Sequence, residues 1–219
     1  MANIIIMGPQ GCGKGTHSSK IAERYGIPTI STGDLFRDNI ALGTPLGLLA
    51  KSFIDKGELV PDQVTVDLLN KRLEAKDCEN GFILDGFPRT VNQAKLLDKS
   101  LKKNKEEVDL VLYFDLPKKE SKRRMLGRVT CVDCKQIYNR SNYFADNCEK
   151  CGGKLFVRDD DKEEAIEKRL ANFEKQTLPV KYYYEEKGKV ISIDMMGSVE
   201  ENRVKLYAEL DIFDKKTTM

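Results

Sequence analysis

The chain has 219 residues, of which 40% are hydrophobic and 33% charged, with a net charge of +2. That is enough for one sizeable α/β domain with inserts, and the balance of charge gives no general pull toward nucleic acid or anionic membranes. The apolar run near the N-terminus, IIIM at residues 4–7, is far short of a signal or membrane-spanning segment, so a soluble cytoplasmic chain is expected.

In chain order, ANIIIMG (2–8) reads as a buried strand running into a glycine turn, and KGTHSSKIAERYG (14–26) as a helix stopped by Gly26. STGDLFRDNIALG (31–43) predicts a helix begun by Ser31 or Thr32. Thr44 and Pro45 open another that runs to about Lys56, with Gly57 as its stop. The next helix, over 61–76, places Val64, Leu68, Leu69 and Leu73 on one face. GFILDG (81–86) is a short strand ending in Asp85, a helix follows over 90–103, and VDLVLYFD (108–115) is a third strand. A helix over 117–128 leads into residues 129–157, where cysteines, glycines and short β-like pieces change the texture. A long helix over 161–176 is disturbed near Pro179. KVISIDM (189–195) is a fourth strand, a helix over 198–210 closes the chain, and the KKTTM tail is expected to fray. Strands alternating with helices predict an α/β fold, a parallel sheet covered on both faces.

GPQGCGKGTH (8–17) follows the phosphate-loop pattern, except that Gly15 stands where a hydroxyl is expected and the hydroxyl comes one residue later, at Thr16. Glycines at 11, 13 and 15 let the N–H groups of residues 11–16 approach phosphate oxygens, and the following helix adds its N-terminal dipole. Lys14 reaches for the β- and γ-phosphates. With the hydroxyl displaced, Mg²⁺ is expected to depend on carboxylates through water. Asp85 is the candidate, against a simple strand-end cap. Cys12 reads as a small filler rather than a thiol activated by the helix terminus.

The single histidine, His17, leaves little scope for histidine acid–base catalysis. A phosphate acceptor needs none: with a second pKa of about 6 it is already anionic, and what it needs is neutralisation. Arginine suits that work. Arg37 follows a helix start, Arg89 the turn DGFP, and Arg128 and Arg158 bracket the cysteine segment. Arg169 follows the acidic run DDDKEE, and Arg124 shares a helix face with Arg128. One such arginine is ordinarily a solvated charge, whereas the set borders the phosphate loop and the inserts and reads as a phosphate cage.

Cys131, Cys134, Cys148 and Cys151 form C-x2-C-x13-C-x2-C, a zinc-ribbon spacing. Four protein ligands leave no open position, so the metal is expected to be structural and to fold a lid that lacks a core of its own. Ligand type alone also admits iron. The segment 131–157 carries four basic and three acidic side chains, so with four thiolates around a divalent ion it has no basic stripe for nucleic acid.

Taken in order, the phosphate loop, STGDLFR, GFILDGFPRT followed by Gln93, a GR before the cysteines, and RDDDKEEAIEKRL resemble adenylate kinases of the long type with a zinc-bearing lid, from residue 3 to about 210. The resemblance implies a P-loop nucleoside-monophosphate-kinase fold. Its core would be 1–30, 61–127 and 159–219, its AMP-binding insert 31–60 and its zinc-binding lid 128–158. It implies ATP + AMP ⇌ 2 ADP with Mg²⁺ and, as partners, only the substrates ATP, AMP and ADP on a monomer. By the same resemblance ATP would meet Gly11, Cys12, Gly13, Lys14, Gly15, Thr16, Arg128, Ile137, Tyr138 and Gly197. AMP would meet Thr32, Arg37, Glu58, Leu59, Val60, Gly86, Phe87, Arg89 and Gln93, with Arg158 clamping from the lid and Arg169 beside the transferring group. His17, Gln10, Cys12 and the DMMG turn depart from the family pattern. Two rival readings are a kinase of UMP, CMP or GMP on this scaffold, and a P-loop ATPase or switch whose ribbon docks a partner. Gln93 favours adenine, and a switch has no need of the arginines around DGFPR.

Overall fold

The computed structural model of the protein describes residues 2–56 and 58–217. Five parallel strands form its central sheet: β1 (Ala2–Met7), β2 (Thr29–Ser31), β3 (Gly81–Asp85), β4 (Leu110–Asp115) and, last in the chain, β8 (Val190–Asp194), in the spatial order β2-β3-β1-β4-β8. A second sheet is antiparallel and small, with β5 (Arg128–Cys131) between β6 (Ile137–Asn139) and β7 (Leu155–Phe156). The helices are α1 (Lys14–Tyr25), α2 (Thr32–Ala41), α3 (Pro45–Ile54), α4 (Asp62–Leu73), α5 (Val91–Lys103), α6 (Lys118–Leu126), α7 (Glu163–Asn172), α8 (Leu178–Glu185) and α9 (Val199–Thr217).

The central sheet is buried on both faces, as its continuous apolar strands require. Ile4 lies in register between Ile83 and Leu110, and Ile5 between Leu84 and Val111. Because side chains alternate across a strand, these two rows enter different cores. Ile4, Ile6, Ile83, Leu112 and Phe114 pack with Ile21 of α1 and Leu206 and Leu210 of α9. Ile5, Met7, Leu84, Val111 and Tyr113 pack with Leu69, Leu97, Val180 and Tyr184 from α4, α5 and α8. Parallel register puts the C-terminal ends of β1, β3 and β4 at one edge of the sheet, where the phosphate loop and Asp85 emerge.

Three differences from the sequence expectations have physical causes, and the disturbance expected near Pro179 takes a definite form. β2 is a fifth strand in the short stretch before the helix expected at Ser31, where the sequence pattern predicts no element. It is three residues long, and its last residue, Ser31, is also the cap of α2, accepting from the Asp34 N–H at 3.2 Å. Helix α4 buries two sides, not one: Val64 and Leu68 pack on Phe36, Ala50 and Val60, while Leu69 and Leu73 face the sheet. The helix after the cysteines breaks just ahead of Pro179, where a π-helical turn (Phe173–Thr177) separates α7 from α8. The last helix continues to Thr217, so residues 215–217 of the tail expected to fray are helical; 218–219 and Gly57, the expected helix stop, lie outside the described residues. Among the described residues, no helix is long and apolar enough to cross a membrane.

Helices α2 and α3 form a hairpin that packs through Phe36, Ala50 and Val60. Thr44 caps α3 by accepting from the Gly47 N–H at 3.0 Å, and Gly47 is where the two helices meet backbone to backbone. A Cβ there would lie 2.1 Å from the Asn39 carbonyl oxygen. Gly47→Ala is therefore expected to force the helices apart and to lower the Tm by about 4–8 °C, from a loss of about 2 kcal/mol. Thermal unfolding by circular dichroism checks this; an unchanged Tm would refute the close-approach argument.

Candidate functional site

The loop between β1 and α1 is shaped by three left-handed glycines. Gly8 has φ 151°, Gly11 φ 77° and Gly13 φ 99°. A Cβ on Gly8 would lie 2.4 Å from the Phe114 carbonyl oxygen, so the loop sits directly on β4. Gly13 caps α1 without any side-chain acceptor, leaving the N–H groups of Gly13, Lys14 and Gly15 with no acceptor among the described residues. Those of Cys12 and Thr16 are engaged by the Pro9 and Gly13 carbonyls at 3.3 and 3.1 Å. Lys14 folds back over the loop and donates to the Gly8 and Pro9 carbonyls at 2.8 and 3.0 Å. Cys12 is fully buried under the loop, and burial raises its thiol pKa, which fits the filler reading rather than an activated thiol.

His17 packs edge-on against Phe114, with ring centroids 5.9 Å apart, and is 2% exposed. Burial, with Arg203 adding to it, lowers its pKa, so it sits neutral behind the loop.

Asp85, at the end of β3, is half-buried, and its carboxylate has no hydrogen-bond partner among the described residues, so it does not act as a strand-end cap. Burial raises its carboxyl, while Lys14, Arg89 and Arg37 oppose that rise. It is therefore an acceptor facing cations.

The five arginines meet in one charge cluster. Arg89 is pushed down to about 10, first by burial and then by Arg169, with Arg37 adding to it. Arg158 is also pushed down to about 10, by burial and then by Arg128 and Arg37. Arg169 is lowered by burial, with Arg128 contributing. Each is fixed by its neighbours. Arg89 donates through Nε to the Gly86 carbonyl at 2.7 Å; its own N–H is taken by Gln93 Oε1 at 2.7 Å and its carbonyl by Thr177 Oγ1 at 3.0 Å. Arg37 pairs with Asp34 on its own helix. Arg158 donates to Thr130 Oγ1 at 3.1 Å. Arg124 is not in the cage: it bonds Glu120 and the Met195 carbonyl.

The sequence reading missed the anions that hold this cage. Asp161 is 1% exposed and bridges Arg128 and Arg169, accepting from Arg128 Nε at 2.7 Å and an Arg169 terminal nitrogen at 3.1 Å. Asp160 pairs with Arg169 at 3.0 Å. Burial pulls its carboxyl up, but Arg169, Arg128 and Arg158 outweigh that and hold it low. The run DDDKEE carried no sign that its third carboxylate is buried.

The remaining candidates surround this cluster. Thr32 donates to the Gly86 carbonyl at 3.2 Å, and Phe87 is 1% exposed, its peptide with Pro88 being cis. Glu58 pairs with Lys168 of α7 at 3.2 Å, which ties the segment carrying Leu59 and Val60 to the helix of Arg169. The Gln93 amide spans Arg89 and Asp62, its Nε2 donating to Asp62 Oδ1 at 2.8 Å, so one N–H and one lone pair remain for a base. The Gly197 carbonyl accepts from Asn202 Nδ2 at 2.9 Å, leaving its N–H in the turn before α9. In β6, Ile137 faces the phosphate loop, 3.9 Å from a Cβ placed on Gly15. Tyr138 turns the other way, into the cysteine cluster.

Cys131, Cys134, Cys148 and Cys151 bring their sulfurs within 4.8 Å of one another, the only such cluster among the described residues. Cys131 and Cys151 lie 3.5 Å apart, as do Cys134 and Cys148. A tetrahedral site with metal–sulfur bonds of about 2.3 Å has sulfurs roughly 3.8 Å apart, so the cage fits one metal ion held by four thiolates.

The sequence itself has relatives of known name. The adenylate kinase family model matches residues 6–189. The adenylate kinase of Thermodesulfovibrio yellowstonii is 48% identical over 201 residues, 90% of this chain and 94% of its own. That of Archaeoglobus fulgidus is 45% identical over 201 residues, covering 90% and 93%, and that of Clostridium tetani 46% over 205 residues, covering 92% and 94%.

Burial of the one histidine has a measurable sign. Its folded pKa lies below the ordinary 6.5, so below that pH the unfolded chain binds a proton that the folded chain does not, and stability falls with pH. Between about pH 7.5 and about pH 5.5 the wild-type Tm is expected to drop further than that of His17→Gln. Equal drops would mean that the imidazole titrates freely.

Proposed function

This chain belongs to the adenylate kinase family and transfers the terminal phosphoryl group of ATP to AMP, giving two ADP, and we propose the following division of labour among its residues. Residues 1–30, 61–127 and 159–219 form the core, 31–60 the AMP insert and 128–158 the lid. The ATP phosphates lie on the free N–H groups at the start of α1, and Lys14 swings from its own loop carbonyls to the transferring phosphate. Mg²⁺ enters as MgATP and meets Asp85 through water, a carboxylate at the end of β3 that Lys14, Arg89 and Arg37 face. Arg37 and Arg89 grip the AMP phosphate. Arg128 and Arg158 close from the lid, and Arg169 stands between the two nucleotides.

The observation that carries this reading is the convergence of Arg89, Arg158 and Arg169, whose burial no local group fully offsets, with Arg37 and Arg128 as neighbouring charges. Two polyanions complete that balance. The AMP phosphate is already ionised, so no general base is needed, and catalysis is positioning plus stabilisation of charge on the equatorial oxygens. Gln93 offers its remaining amide groups to the adenine, and the Gly197 turn meets the base of ATP. Closure of insert and lid excludes water that would otherwise accept the phosphoryl group. The cysteine cage fits zinc, which when bound would staple a lid whose apolar core is only Val129, Tyr138 and the cysteines themselves. The enzyme acts as a cytoplasmic monomer.

Lys14→Met is expected to lower kcat by more than about 100-fold, and Arg89→Ala to raise the KM for AMP well beyond any change for ATP. Chromatographic assay of ADP from ATP, Mg²⁺ and a panel of monophosphates reads both. Lys14→Met activity within twofold of wild type, or equal use of UMP, would overturn the assignment. Metal analysis of protein purified without chelator is expected to give about one zinc per chain; iron or no metal would remove the zinc lid.

A further inference from the structure

The three residues of β6 reach in three directions. Ile137 faces the phosphate loop at Gly15. Asn139 Nδ2 donates to the Arg124 carbonyl at 2.8 Å, at the end of α6 where the lid segment begins. Tyr138 is 9% exposed, stacks on Tyr143 with ring centroids 4.2 Å apart, and sets its hydroxyl 3.1 Å from Cys148 Sγ. A phenol in this position can donate to a thiolate that is also a metal ligand. Groups of this kind orient ligands and tune how tightly a metal is held.

We propose that Tyr138 is a positioning residue for ATP: its hydroxyl hydrogen-bonds the Cys148 thiolate of the metal cage and thereby fixes β6, so that Ile137 stays seated over the phosphate loop. This rests on the reading of 128–158 as the lid over ATP. The side chain of Tyr138 thus serves the metal, and its effect on ATP passes through Ile137. One rigid strand joins the two, so the bound metal sets the resting place of the residue that covers the nucleotide.

The test uses the full chain with Co²⁺ in the cysteine cage, comparing wild type, Tyr138→Phe and Tyr143→Leu. A hydrogen bond to sulfur lowers the energy of its lone pair, so losing it moves the thiolate-to-cobalt charge-transfer band to longer wavelength. Tyr138→Phe is expected to show that shift, to give up cobalt to a chromogenic chelator about tenfold faster, and to raise the KM for ATP severalfold with the KM for AMP unchanged. Tyr143→Leu removes the stacked ring and its own bond to the Asn147 carbonyl but keeps the Tyr138 hydroxyl, and should leave the band in place. An unmoved band and unchanged release in Tyr138→Phe would overturn the proposal, as would an equal shift in Tyr143→Leu or an unchanged KM for ATP beside faster release. Ile137→Ala separates the two readings: if it too leaves the KM for ATP unchanged, the assignment of the lid has failed, whereas the cobalt spectra still judge the hydrogen bond.

Discussion

Five guanidinium groups cannot share a half-buried cleft without anions among them. Burial removes water that would solvate each charge, and the neighbours repel one another. In this protein the deficit is met in part by Asp161, which is 1% exposed and bonded to both Arg128 and Arg169, by Asp160, and by Asp34 on Arg37. The scaffold is arranged around that constraint. The sheet brings Asp85 and the phosphate loop to one edge, α2 brings Arg37, the turn after β3 brings Arg89, and the lid boundaries bring Arg128 and Arg158. Breaking one side of such a pairing leaves a buried charge uncompensated, which is costlier than never having formed the pair.

The proposed function links this constraint to motion. Arg128 and Arg158 lie at the two ends of the cysteine-bearing segment, so under that proposal phosphates that attract both would draw it inward. Glu58 and Lys168 tie the segment after α3 to the helix of Arg169 in a comparable way. Both partners of that pair are about half exposed, so its net contribution is small. The cysteine-bearing segment has a small apolar core of Val129, Tyr138 and the cysteines themselves, so a metal held in the cage would supply what burial does not.

Much of this was legible in the sequence, because the features are local or fixed by spacing. The phosphate loop needs glycines within a few residues of one another, and the two C-x2-C pairs need only their turns. The arginines stood out because they border predicted inserts, and the structure brings all five into one cluster. What escaped the sequence depends on contacts distant along the chain. β2 is three residues long, too short for alternation to register. Asp161 sits in an acidic run that reads as a solvated face until Arg128, 33 residues away, folds against it. The Gln93 amide spends half its capacity on Arg89 and Asp62, 4 and 31 residues away. A three-residue strand also leaves its pleat undecided, and the resemblance that names Ile137 and Tyr138 does not show that their side chains face opposite ways.

The most direct measurement is a crystal structure of the protein with a dinucleotide in which one phosphate chain joins two adenosines. Phosphate oxygens are expected within hydrogen-bond distance of all five guanidinium groups, with Arg37 and Arg89 on the phosphate of the second adenosine and Arg128 shared between Asp161 and the chain. A phosphate chain lying on the loop at α1 while Arg37 and Arg89 remain bound only to protein groups would contradict the account, since the cage would then have a purpose other than joining two nucleotides.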